Sequence, residues 1–355
     1  MNNNIDSFTA LQDFLLPLLV RGYERVFIEL PARVADPRNR FFWAYILSFM
    51  AMGAWAYRRY YPEARGHVLR FLFPREVYAH PSAIMDYKLL LMNRLLGPAG
   101  FLSRIFLGTG LITLVATATQ MSLNQMLGPH HQTMQWSFLN STVIVIGLTM
   151  LRDFGTFVTH SLSHKLPLLW EFHKVHHSAE VLTPITIYRK HPVYSLVGEF
   201  VSLGLVAPIQ GLVAYLFIGE AQPLEIFGAN LIFAFFHLVG ANLRHSHIWL
   251  SFGPRWSRVL ISPAQHQIHH SKAERHWDKN FGELFALWDW LFGTLYIPGK
   301  EREEIEFGVN GADQQEHATL RQAYCVPFIN CGRIIRGYFA APRLPAPIGD
   351  NLGSR

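Results

Sequence analysis

Histidine supplies 18 of the 355 residues, and eight of these fall into three short patterns. "THSLSH" sets His160 and His164 four apart. "WEFHKVHHS" carries His173, His176 and His177, and "SPAQHQIHHS" repeats that spacing at His266, His269 and His270. On a helix, residues three and four apart share a face, so each pattern projects imidazoles together. Adjacent members such as His176 and His177 diverge by about 100° around the axis, which suits two ions held side by side. Eight imidazoles are also too many for one ion, since even octahedral coordination takes about six ligands. The chemistry these residues predict is a dinuclear metal site.

Imidazole suits zinc, copper, iron and nickel. A structural zinc site closes with four ligands and usually includes cysteine. The only cysteines, Cys325 and Cys331, fit neither a zinc knuckle nor a disulfide framework and read as reduced thiols. The repeated Glu-x-x-His of carboxylate-bridged di-iron bundles is absent. What remains is an all-histidine site, with iron the expected metal. The bland alternative is a hydrogen-bonded cytoplasmic patch near lipid headgroups, which does not account for the repeated spacing. The lone histidines His67, His80, His130, His131, His276 and His317 read as ordinary hydrogen-bonded residues.

The elements that must position these side chains are apolar. Hydrophobic residues make up 50% of the chain and charged residues only 16%, against roughly 25% in a typical soluble domain. The net charge of +6 is scattered beside apolar runs rather than gathered in a basic tail, which argues against nucleic acid. Four stretches, about 101–120, 137–157, 196–218 and 222–243, approach spanning length and form two hairpins. Their connecting loops, at 121–136 and 219–223, lack Lys and Arg, whereas Arg58, Arg59, Lys165, Lys174, Arg189, Lys190 and Arg255 lie on the other side. The positive-inside rule puts the bare loops outside and all three histidine patterns on the cytoplasmic face. The stretch 41–57 is near the lower length limit for crossing and is left open. The stretch 11–20 is expected to form a short amphipathic helix, not a signal peptide.

Taken together, "RDFGTFVTHSLSH", "LWEFHKVHHSAEVLTPITIYRKHP", "SPAQHQIHHS", "DKNFG" and "WDWLFGTLY" resemble the fatty acid hydroxylase/sterol desaturase superfamily of integral-membrane oxygenases, over roughly 140–300. The resemblance implies a non-haem di-iron centre that uses O₂ to hydroxylate or desaturate a lipid. It carries over to His160, His164, His173, His176, His177, His266, His269 and His270 as metal-binding and catalytic residues. It also implies a ligand from "FFHLVGANLRHSHIWLSFG", where His245 fits best and His237 and His247 are runners-up; no histidine stands at 241. His191 in "YRKHP" is a ligand or a supporting group.

Asp153, two helical turns before His160, is expected to orient a liganding imidazole, with an ion pair to Arg152 as the competing reading. Asp278, Asn280 and Asp289 are weaker candidates of the same kind. The expected fold is all-α: a multi-pass transmembrane helical bundle with a cytoplasmic histidine-rich cap holding the dinuclear site. Its expected organisation is a membrane-associated segment at 1–100, a catalytic domain at 101–300 and a polar, irregular tail at 301–355. With no flavin or nicotinamide fingerprint, electrons must come from a separate ferredoxin or cytochrome-type donor. The rivals are a zinc-dependent membrane hydrolase and a metal transporter or sensor. The lipid, whether sterol, fatty acyl chain, ether lipid or carotenoid, stays open, as do hydroxylation against desaturation and the oligomeric state.

Overall fold

A computed structural model describes residues 20, 23–61, 66–95, 109–129, 137–218, 231–232, 234–299 and 301–340. The described residues are helical and contain no strand, only the isolated bridges Leu260–Phe285 and Ser271–Phe307. The helices that matter for the site are α1 (Trp43–Tyr60), α2 (Pro81–Leu95), α3 (Thr109–Leu127), α4 (Phe138–Lys165) and α5 (Pro167–His177). They are followed by α6 (Pro192–Phe217), α7 (Pro263–His269), α8 (Leu287–Leu291) and α9 (Leu320–Ala340).

Two of them, Leu139–Lys165 within α4 and α6 itself, are long and apolar enough to cross a membrane. Only 33% and 22% of their most apolar windows are buried inside the protein. Ser137 caps α4 by accepting from the Asn140 N–H. At about 1.5 Å per residue its 28 residues run about 42 Å, beyond the roughly 30 Å of a hydrocarbon core. His160 and His164 stand near its C-terminal end.

Pro167 then stops the helix and opens α5 at its first position, where a missing N–H costs nothing. On α6 the chain winds through π-turns at Ser202–Val206 and Ala214–Ile218. Gly211 lets α6 cross α3 closely, because a Cβ there would collide with the Ala116 carbonyl. Of the two hairpins expected from the sequence, 96–108 and 219–230 lie outside the described residues, as do 11–19 of the expected amphipathic helix and both His130 and His131. The stretch 41–57 falls largely within α1.

Three small apolar clusters hold the site's supports. Phe49, Ala56 and Leu72 pack on Leu243, Ile248 and Leu250, which locks α1 against the segment carrying His245. Met85, Leu89, Val175 and Ala323 join α2, α5 and α9. Trp249, Ala264 and Ile268 seat α7. Burying a side chain such as Ile268 completely is worth about 1.5–3 kcal/mol. The segments outside the recognisable motifs thus contribute directly: Asp86 of α2 is buried and pairs with Arg189 at 3.0 Å.

The expectation of an irregular tail after residue 300 is corrected. Leu320–Ala340 is a 21-residue helix with Pro327 inside it. It packs on α5 because Ala323 and its apolar neighbours recur at helical spacing, and Asn330 donates to both Glu171 and Glu316. Residues 341–355, which include the proline-rich end, lie outside the described residues.

Candidate metal centre

Each histidine pattern is placed by its own local chemistry. Ser262 and Gln265 form a reciprocal capping box, with Pro263 at the first position, and this starts α7 so that His266 and His269 fall on its inner face. His270 follows as its cap. Gln267 on the same helix donates to the carbonyls of Leu243 and Ile248, clamping the non-helical turn that carries His245. On α5 every residue from Glu171 to His177 is buried. The serine after that pattern, Ser178, donates to the Val175 carbonyl and accepts from Arg189.

Nine imidazoles converge in two groups. His160, His164, His173, His177 and His269 form one, and His176, His245, His266 and His270 the other; within each, the candidate ligand atoms all lie within 4.8 Å of one another. The neighbours His176 and His177 go to different groups, as do His269 and His270. The pairs four apart (160/164, 173/177 and 266/270) stay together. This is the divergence that helix geometry requires. The rings of His177 and His270 stack with centroids 4.5 Å apart, so the groups share a wall.

Hydrogen bonding between the rings does not account for the arrangement. His245 Nε2 lies 3.2 Å from His176 Nε2, 3.0 Å from His266 Nε2 and 3.2 Å from His270 Nε2. A ring nitrogen has one proton or one lone pair and cannot serve three such partners. In the other group His177 Nε2 lies 3.2 Å from both His164 Nε2 and His173 Nε2. Nitrogens bound to one ion at about 2.1 Å and at right angles would be about 3.0 Å apart. The donor set fits a metal ion in each group.

The outer nitrogens agree. His160 Nδ1 lies 2.8 Å from the Phe281 carbonyl and His269 Nδ1 lies 2.8 Å from the Lys279 carbonyl. A carbonyl only accepts, so both rings carry their proton on Nδ1 and turn an Nε2 lone pair inward. His269 Nε2 is buried without a hydrogen-bond partner, as a ligand atom should be. Burial also holds His173, His176, His177, His245, His266, His269 and His270 well below the usual imidazole pKa, neutral and able to ligate.

The segment "DKNFG" gains a role as scaffold. Asp278 and Asn280 take left-handed backbone conformations, with φ of 56° and 57°, which Asp and Asn tolerate better than most residues. This turn presents the carbonyls of Lys279 and Phe281 to the histidines. Asn280 binds the Gln265 carbonyl and the Tyr296 N–H, so it is a loop-former. Asp278 Oδ1 is 3.8 Å from His164 Nδ1 and is the one candidate carboxylate near an imidazole of the site. Gly282 is needed because a Cβ would lie 2.6 Å from the Phe285 carbonyl oxygen. Asp289 accepts from the N–H groups of Phe281 and Gly282, and thereby fixes the carbonyl that His160 uses.

Several expectations are corrected. Asp153 touches neither an imidazole nor Arg152. Its carboxylate accepts from the N–H groups of Leu284 and Phe285 and from Trp288 Nε1, because a non-helical segment crosses α4 there with donors to satisfy. His191 caps α6 through Nδ1 and meets the Tyr324 carbonyl through Nε2, outside both groups. His247 binds the Phe71 carbonyl, and His237 stacks on Tyr45. Arg244 was not singled out from the sequence. It is buried and reaches the carbonyls of Gly282 and Glu283, and its guanidinium stands 3.4 Å from His266 Nδ1.

The family model described as fatty acid hydroxylase matches residues 145–294, a range that contains all nine clustered histidines. Ornithine lipid hydroxylase OlsE of Rhizobium tropici is 29% identical over 209 residues, covering 58% of this chain and 56% of its own. Human alkylglycerol monooxygenase is 26% identical over 157 residues, 44% of this chain and 31% of its own. Human cholesterol 25-hydroxylase is 29% identical over 161 residues, 41% of this chain and 48% of its own. The chain therefore spans about half or less of the length of these relatives. No solved structure matches. Residues 145–294 thus match a fatty acid hydroxylase domain, the family that the histidine patterns resemble.

Proposed function

We propose that the protein is a membrane-embedded oxidoreductase that uses O₂ to hydroxylate or desaturate a lipid at a di-iron centre held by the nine clustered histidines. The observation that carries this reading is the convergence of ring nitrogens on two points, with His245 Nε2 facing three others at 3.0–3.2 Å. A pair of irons held there would supply O₂ activation and attack on an unactivated C–H bond. The printed names of the relatives, each a hydroxylase or monooxygenase and each with a lipid or sterol as its namesake, support the lipid as substrate.

Hydroxylation consumes O₂, two electrons and two protons, placing one oxygen in the C–H bond and releasing the other as water. Desaturation releases both oxygens as water. The electrons would come from a separate carrier of ferredoxin or cytochrome type. The chain's own part is to hold nine imidazoles together, with the Phe281 and Lys279 carbonyls accepting hydrogen bonds that fix the tautomers of His160 and His269, and to keep bulk water from the buried rings. The overhang of α4, with Lys165 at its end, supports a multi-pass arrangement with the metal centre on the cytoplasmic side.

Metal analysis of the purified protein and O₂-dependent product formation test the reading. About two irons per chain and an oxidised lipid are expected. Zinc at full activity without O₂ would make it a hydrolase instead. Cysteines introduced at Gln125 and Lys165 should be labelled from outside and inside respectively.

A further inference from the structure

The histidines do not close their site completely. A cavity of about 80 Å³ abuts five of them, and its other wall is formed by Arg40, Lys190, Arg244 and Glu283. Arg40, Thr156, Phe236 and Glu283 also border a larger space of about 520 Å³ beside α4 and α6, where Val145, Leu148 and Ile232 give apolar lining. A path thus runs from between the apolar helices, past a cluster of charge, to the imidazoles.

That charge is unbalanced. Arg244 spends its donors on the carbonyls of Gly282 and Glu283, and Lys190 lies 5.3 Å from the centre of the Tyr194 ring. Among the described residues no ion pair joins Arg40, Lys190 or Arg244 to a carboxylate. Glu283 is the one acid in the wall of the small cavity, against three cations. The neutral histidines add no counter-charge, and bound metal would make the region more positive. Partly buried cations that outnumber their one carboxylate are costly, and an alkyl chain laid among them would desolvate them without pairing them. An anionic group would pair with them and leave its chain pointing into the larger space, along Val145, Leu148 and Ile232. Arginine and lysine at such a position are phosphate and carboxylate binders.

We propose that the substrate is an anionic lipid whose carboxylate or phosphate group sits among Arg40, Lys190 and Arg244, so that the carbon oxidised lies within a few bonds of the head group. The placement of the oxidised carbon rests on the oxygenase reading; recognition of the head group does not.

The purified full-length protein with its metal, in neutral detergent and without an electron donor, is titrated with dodecyl phosphate, dodecanoate, dodecanol and inorganic phosphate. At least one of the two anionic amphiphiles should bind about tenfold or more tightly than dodecanol, the gain expected from one charge-assisted hydrogen bond. Arg40→Gln and Lys190→Gln should each remove that preference and leave dodecanol binding unchanged, whereas Arg40→Lys should retain most of it. Equal affinity for anion and alcohol would overturn the proposal, and so would variants that weaken both alike. Inorganic phosphate binding as tightly as dodecyl phosphate would reduce the site to one for free anions and also overturn it. Under turnover, mass spectrometry should place the new oxygen or double bond near the head group, and functionalisation far down the chain would refute that placement. Anion preference with no O₂-dependent product would sink the oxygenase reading and leave head-group recognition standing.

Discussion

His160 Nδ1 lies 2.8 Å from the carbonyl oxygen of Phe281, a residue 121 positions further along the chain. The Phe281 N–H is in turn held at 2.8 Å by Asp289 Oδ1. A buried carboxylate that touches no imidazole therefore sets the direction in which the first histidine pattern faces.

Asp289→Asn should loosen this relay. The amide would turn an N–H₂ toward one of the two backbone donors and lose an acceptor, at about 1–3 kcal/mol. Iron affinity is expected to fall about 10- to 100-fold, as when a supporting partner of a ligand is lost. Competition with a chelator measures it, and unchanged affinity would separate the Phe281 loop from metal binding.

Asp153→Asn should destabilise the protein for a related reason, because the carboxylate accepts from Leu284, Phe285 and Trp288. A loss of about 2 kcal/mol is expected, with a secondary drop in iron. Arg152→Gln should leave stability and iron content unchanged, since Arg152 is exposed and is not the partner of Asp153. Equal damage from the two variants would restore the ion-pair reading.

Ligand removal should act on one group at a time. His173→Ala strikes the five-histidine group and His245→Ala the four-histidine group. Each is expected to lower iron from about two to about one per chain and to abolish turnover, while the helical content survives. Loss of both irons in both variants would show that the two groups fill cooperatively.

Two histidines outside the metal groups give a pH dependence. Burial lowers His191 and His317 to about 4, and the Tyr324 carbonyl raises His191 only partly back. The unfolded chain, with imidazole near 6.5, binds protons that the folded chain does not between those values. Stability is therefore full above about 6.5 and declines as pH falls toward 4, by up to about 3 kcal/mol for each residue. His191 meets the backbone of α9, so amide exchange in 320–340 should quicken first on acidification. Uniform protection from pH 7.5 to 5 would refute this.

The two histidine groups were legible in the sequence because local periodicity decides them. Spacings of three and four put His173 with His177 and His266 with His270, while adjacency sends His176 and His177 apart, and the structure keeps to that rule. The supports were not. The Phe281 and Asp153 contacts depend on where a segment more than a hundred residues away crosses α4, and no local period encodes that crossing. The run after 300 looked irregular because Pro327 breaks a helical pattern that packing on α5 nevertheless stabilises. Arg40, Lys190 and Arg244 read as scattered basic residues flanking apolar runs. Only tertiary structure gathers them beside the histidines, because charges far apart in sequence become neighbours only once the helices have packed.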